Sequence, residues 1–325
     1  MKALIHHAFG DPADVLAVED VPTPEPSAGE VRVRLTLSAI HNHDLWTVRG
    51  TYGFKPALPA RAGTEAVGVV DALGAGVEHL ALGQRVATGG TFGVWAEQFI
   101  AKAAALIPVP DDLPDEVAAQ LVSMPFSAIS LLDSLDLGEG DWLIQNAANG
   151  AVGRLVAQLA VPRGINVVGL VRRAEAVDEL EAQGISRIVA TDSDDWQARV
   201  AEITGGAPIV TGVDSVGGRA SGDVLSQLAE NGTLVAFGAM ASPTMEISSG
   251  DVIFKQAIVR GFWASKVSAA MPPEDRARLM GELLARVKDG TITLPVEATY
   301  PLAGIADAAR AGFRPGRAGK ILLRP

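Results

Sequence analysis

Residues 31–38 alternate apolar and polar, with Val31, Val33, Leu35 and Leu37 on one face and Arg32, Arg34, Thr36 and Ser38 on the other. Period two predicts a half-buried strand. Residues 67–73, 84–88 and 94–101 read as further short strands between glycine-rich turns, so the first 117 residues predict a partly open β-barrel. The pattern changes near residue 118. A helix is predicted over 115–135, after which strands over 142–144, 166–171, 187–190, 209–213, 233–237 and 258–261 alternate with helices centred near Leu180, Val200 and Leu225. That alternation predicts an α/β fold with a doubly wound parallel sheet. A helix over 273–288 and a short apolar strand over 320–323 are expected to return to the first domain. The expected division is a nucleotide-binding domain over 118–263 and a β-rich domain built from 1–117 and 264–325, with no internal repeat or long linker.

The segment 142–173, WLIQNAANGAVGRLVAQLAVPRGINVVGLVRR, carries the strongest local signal. An apolar strand enters a turn of small residues, and Val152, Leu155, Val156 and Leu159 follow at the spacing of a buried helix face. Pro162 and Gly164 close that helix before the β-branched strand over 166–171. Such a unit offers unpaired N–H groups and the positive end of a helix dipole to a pyrophosphate. Gly150 allows the close approach and Gly153 the helix packing, with Ala151 and Val152 in the first turn; Ala148 stands where a full glycine fingerprint has its first glycine. Asn146 and Asn149 could bond the cofactor or fix the turn. The strand end is where such folds read the adenosine ribose, and an acid there would suit NAD. This chain has Arg172 and Arg173, which suit the 2′-phosphate of NADPH.

Composition narrows the partners. The chain has 325 residues, 48% of them hydrophobic and 20% charged, enough for two domains and a sizeable core. A net charge of −11 without basic runs argues against nucleic acid and anionic membranes, and directs attention to a small-molecule substrate. Without cysteine there is no disulfide, thiol nucleophile or cysteine-ligated zinc. The start, MKALIHHAFGD, lacks the apolar core of a signal peptide, and no later stretch reads as a membrane span, so a cytoplasmic enzyme is expected.

The segments GTEAVGVV at 63–70 and GKILL at 319–323, with a β-rich first part and a nucleotide fold after it, resemble the medium-chain dehydrogenase/reductase superfamily over essentially the whole chain. The resemblance implies a Rossmann domain and a GroES-like domain. Members that oxidise alcohols hold a catalytic zinc, and two of its ligand positions fall here on His41 and Thr64. His41, His43, Asp44 and Glu65 are ligand types acceptable to zinc, but in an extended segment the two histidines would point opposite ways. No metal is therefore expected.

Four segments carry a finer likeness, to zinc-free 2-enoyl thioester reductases of the trans-2-enoyl-CoA type: RGTYGFKPALPARAGTEAVGVV at 49–70, IQNAANGAVGRLVAQLA at 144–160, NGTLVAFGAM at 231–240 and IFKQAIVRGFW at 253–263. The likeness implies that Tyr52 is the catalytic acid and that Trp263 stands near the thioester or packs structurally. It also implies that Gly238 and Met240 lie along the nicotinamide. Chemistry agrees for Tyr52, since hydride addition to an enoyl thioester builds charge on the thioester oxygen and leaves the α-carbon needing a proton. Where these reductases read Asn-Pro-Ser-Asp, this chain reads His41-Asn42-His43-Asp44; the histidines could alter substrate choice, act as acids or pack. The expected function is NADPH-dependent reduction of a 2-enoyl thioester, with NADPH:quinone reduction as the alternative. A homodimer is expected through pairing of β-rich edges within 231–261.

Overall fold

The computed structural model describes residues 1–314 and 316–325. The chain forms two compact units, Met1–Ser123 with Leu294–Pro325, and Met124–Thr293. Residues 264–293 thus belong to the second unit, not the first as the sequence suggested. Charge ties them there: in the helix Pro273–Lys288, Glu282 accepts from Arg163 at 2.9 Å and Arg278 pairs with Asp133 at 3.0 Å.

In the first unit, seven strands make one sheet around the long strand Glu30–Ala39, which pairs antiparallel with Ala66–Leu73, Gln98–Lys102 and Lys320–Arg324. Val31, Val33 and Leu35 are buried as their alternation predicts. A register shift between Leu35 and Leu37 then exchanges the faces. An extra residue in one strand turns the following side chains over, and Ser38 is accordingly buried, donating to the Glu65 carbonyl. A smaller sheet pairs Lys2–His6 with Ala17–Asp20 and Ala60–Arg61. The predicted strand over 94–101 is regular only over Gln98–Lys102. Its earlier half bonds the smaller sheet irregularly, with Leu4 N–H donating to the Trp95 carbonyl and Trp95 N–H to that of Ala62.

The helix predicted over 115–135 is two helices, Asp115–Ala118 and Ser123–Asp133. Pro125 explains the break, because it has no N–H for residue 121 and its ring would clash with that carbonyl in a continuous helix. Within a first turn it is tolerated.

The second unit holds six parallel strands in the order Ile188–Ala190, Asn166–Val171, Trp142–Gln145, Ile209–Asp214, Thr233–Ala236 and Ile258–Gly261. Numbered along the chain this is 3-2-1-4-5-6, the Rossmann order, whose direction of winding reverses beside the first strand. Ile144, Val168, Leu170, Val189 and Leu234 from the strands pack with Val200, Val224 and Leu225 from the helices. Among the described residues no helix is long and apolar enough to cross a membrane.

Candidate active site

At the reversal point, strand Trp142–Gln145 passes through a turn into the helix Ala151–Ala160. Gly150 is the N-cap and offers no side chain to the helix, so among the described residues the first-turn N–H groups of Ala151, Val152 and Gly153 have no side-chain acceptor. Gly153 is required by contact: a Cβ there would lie 2.7 Å from the Ala147 carbonyl oxygen and 2.9 Å from Ala148 Cα. Ala148 replaces the missing glycine without strain of this kind. It is buried and donates its N–H to the Leu170 carbonyl. Arg172 and Arg173 follow strand Asn166–Val171 directly and are both exposed. An uncapped helix N-terminus, a glycine-lined turn and two cations one strand away fit a dinucleotide carrying a third phosphate.

The structure divides the two asparagines. Asn149 is exposed in the turn. The buried Asn146 is committed to the fold: its Nδ2 donates to Asp214 at 2.6 Å and its Oδ1 accepts from Ser215 N–H at 2.7 Å. These two bonds fix the turn and leave one of the two Nδ2 protons for a cofactor. Asp214 is a residue that sequence reasoning missed. Fully buried, it accepts from Asn146, from the N–H groups of Val216 and Gly217 at 2.9 and 3.1 Å, and from Ser221 at 2.5 Å. Its carbonyl takes the N–H groups of Phe237 and Gly238. One residue thus joins three strand-end loops. Asp214→Asn replaces one of the two acceptor oxygens by an NH2 donor in a site where every partner donates, and is expected to cost about 3 kcal/mol of stability, read as a lower denaturant midpoint.

Gly238 and Met240 follow strand Thr233–Ala236, and their N–H groups donate to the carbonyls of Asp214 and Ser215. Those two donors shape the loop, so a bond from either to a carboxamide would first have to displace an internal partner. Trp263 is 45% exposed at the start of the helix Ala264–Ala270, with Lys266 Nζ 5.3 Å from its ring centre.

In the first unit, the histidine segment is a helix start and not the extended segment in which the two rings would diverge. His41 is the N-cap of Asn42–Arg49, and Asp44 Oδ2 accepts the His41 N–H at 2.9 Å. The rings of His41 and His43 therefore do not diverge; they stack 5.1 Å apart at 11°. Opposite them runs the stretch Gly63-Thr64-Glu65. Gly63 has φ +89°, and a Cβ there would fall 2.2 Å from the Trp95 indole. Thr64 donates to Asp44 Oδ1 at 2.7 Å and lies 2.8 Å from His43 Nε2.

Glu65 is fully buried, with Oε2 2.5 Å from His41 Nε2 and Oε1 accepting the N–H groups of Val122 and Ser123. Burial pushes its carboxyl up to about 8 against the pull of those two amides and of Lys320. The donors nevertheless describe a carboxylate. His41 Nδ1 accepts from Lys320 Nζ at 2.9 Å, so the ring proton lies on Nε2 and points at Glu65. Burial lowers the His41 pKa well below its usual value, with Lys320 and His43 acting in the same direction.

This chemistry does not fit a zinc ion. Both His41 nitrogens are engaged, and the lysine beside them would repel a cation. Among the described residues no group of three or more acidic or histidine side chains is arranged to hold a metal.

Tyr52 follows the end of the helix Asn42–Arg49, where its N–H donates to the Trp46 carbonyl at 3.3 Å. It is half-buried, with its ring centre 5.8 Å from that of His43. Its hydroxyl makes no hydrogen bond among the described residues, which leaves a neutral donor available.

Two domain families match the chain: the alcohol dehydrogenase GroES-like domain over residues 27–111 and the zinc-binding dehydrogenase over 151–283. The chain belongs to the medium-chain dehydrogenase/reductase superfamily of oxidoreductases, in the branch that includes the enoyl reductases. It is 31% identical to the mitochondrial enoyl-[acyl-carrier-protein] reductase of Homo sapiens, over 99% of this chain and 88% of that protein. Among solved structures it is similar to the Escherichia coli quinone oxidoreductase complexed with NADPH, with a TM-score of 0.90, 25% identity and full coverage of both chains. The quinone oxidoreductase of Pseudomonas syringae gives 0.89 and 26%, covering 100% of this chain and 99% of that one.

Proposed function

We propose that this protein is an NADPH-dependent reductase of the activated C=C bond of a 2-enoyl thioester. The observation that carries this reading is Tyr52, a tyrosine whose hydroxyl makes no hydrogen bond among the described residues, in a chain related along its whole length to enoyl reductases. NADPH, when bound, supplies a hydride for the β-carbon. The protein's own residues do the rest. The turn at 148–153 and the first-turn amides of Ala151–Ala160 receive the pyrophosphate, while Arg172 and Arg173 pair with the 2′-phosphate. Tyr52 donates a hydrogen bond to the thioester oxygen as charge develops there, then passes its proton to the α-carbon. Trp263, exposed after the last strand, is a candidate contact for the thioester end.

A second reading, NADPH:quinone reduction, is favoured by the solved structures the chain is similar to. It needs hydride delivery to a flat acceptor. Nicotinamide absorbance with crotonyl-CoA and with a quinone, under NADPH and NADH, tests both readings. Oxidation of NADPH by crotonyl-CoA is expected; no turnover with it alongside rapid quinone reduction would replace the first reading by the second.

We also propose a homodimer formed by pairing of strand Ile258–Gly261. It is the sheet edge, all four of its residues are exposed, and Ile258 and Val259 present apolar side chains there.

A further inference from the structure

We infer that His43 is the residue that positions Tyr52, acting as a fixed wall against which the phenol ring is held for proton donation. The inference rests on the reading of Tyr52 as proton donor.

Hydrogen-bond bookkeeping fixes the His43 ring first. Asp44 accepts the only proton of the Thr64 hydroxyl, so the Thr64 oxygen must accept from His43 Nε2–H. Rotating the imidazole would break that bond and leave Thr64 without its donor, in a site where His43 is mostly covered. The ring is then backed by a second one. His41 stacks on it 5.1 Å away, nearly parallel, and is itself tethered at Nε2 by Glu65 and at Nδ1 by Lys320. Burial lowers both histidine pKa values, against the pull of Asp44 in the case of His43, so the stack is neutral near pH 7 and its rings do not repel.

Tyr52 meets this assembly at 5.8 Å and 34°, within the range of attractive aromatic pairs. The residues around it offer little else. Thr51, Gly53, Phe54 and Lys55 are exposed, and among the described residues the Tyr52 hydroxyl makes no hydrogen bond and His43 is its one aromatic ring contact. The main chain is pinned by the Trp46 carbonyl, which accepts from Thr51 and Tyr52. Backbone anchorage sets where the side chain starts; His43 sets where its hydroxyl ends.

The test compares wild type with His43→Ala, His43→Phe, Tyr52→Phe and the double variant Tyr52→Phe/His43→Ala. Positioning predicts that His43→Ala lowers kcat with crotonyl-CoA about tenfold or more, while KM and the NADPH dissociation constant change less than about twofold. His43→Phe keeps a flat ring against Tyr52 but not the bond to Thr64, so it should recover part of the rate that His43→Ala loses. In the Tyr52→Phe background His43→Ala should do nothing further, the signature of two residues acting as one.

A readout independent of turnover comes from ring-labelled tyrosine. The chain has two tyrosines, Tyr52 and Tyr300, so the Tyr52→Phe spectrum assigns both. The Tyr52 ring resonance should stand apart from that of free tyrosine in wild type and His43→Phe, and move towards it in His43→Ala, with Tyr300 unchanged as a control for folding. An unmoved Tyr52 resonance overturns the inference whatever the substrate, as does an equal loss of rate from His43→Ala in both backgrounds. A Tyr52 resonance that moves in His43→Ala, when the wild-type protein ignores crotonyl-CoA, supports the inference and sinks only the enoyl reading.

Discussion

Replacing Tyr52 by Phe is expected to lower kcat with crotonyl-CoA by about 10²- to 10⁴-fold, the range typical of a lost catalytic acid. The substitution removes one oxygen and keeps the ring, so the packing against His43 at 5.8 Å should survive. The lost donor matters because an enoyl thioester accepts hydride only as fast as the charge arriving on its oxygen is stabilised. Quinone reduction sets the internal control. A quinone that gains hydride becomes an aromatic hydroquinone anion, which water can protonate, so its rate with Tyr52→Phe should stay within a few-fold. Parallel loss with both substrates would mean that Tyr52 serves binding or folding, and unchanged enoyl reduction would remove it from the mechanism.

The second large effect is expected from Arg172→Ala/Arg173→Ala. Both side chains are exposed at the end of strand Asn166–Val171, so truncating them leaves no buried partner unpaired. A hydrogen bond to a charged group contributes about 1.5–3 kcal/mol, which corresponds to roughly tenfold to a hundredfold in dissociation constant for each arginine. The loss should fall on NADPH alone, because NADH carries no 2′-phosphate. Titration of both cofactors by nicotinamide fluorescence measures this directly. Weakening both equally would place the arginines on a phosphate common to the two; weakening neither would return the pair to the solvated surface.

The nucleotide-binding half was readable because its signals are local. Six strands and the helices between them follow from runs of β-branched and apolar residues within windows of about ten positions, and Gly150, Gly153, Arg172 and Arg173 lie where the strand–turn–helix pattern requires. The first unit was less readable. Its alternation at 31–38 breaks at a register shift that sequence does not mark, so Ser38 appears polar and exposed yet is buried. Reading 41–44 as extended sent His41 and His43 apart, whereas a helix start brings their rings together. Asp44 three residues after His41 was a usable signal of that start, since an acidic side chain at this spacing can accept the N-cap N–H. Asp214 had no such signal. An aspartate at a strand end is ordinary, and only the return of Asn146, Ser221 and the 216–217 amides to one point makes it a hub.

By itself the sequence determined the class of fold, the dinucleotide turn and the cations suited to NADPH, because each depends on residues close together in the chain, and the resemblance of 49–70 to enoyl thioester reductases singled out Tyr52 as a candidate acid. Only the tertiary structure decided that 264–293 belongs with the nucleotide-binding unit, that Asn146 fixes a turn, and that His41, His43, Asp44, Thr64, Glu65 and Lys320 form one hydrogen-bonded cluster beside Tyr52. Those partners are separated by up to 279 positions. A hydrogen bond is specified by distance and angle between its two atoms, and no local pattern of residue types encodes which distant donor will arrive.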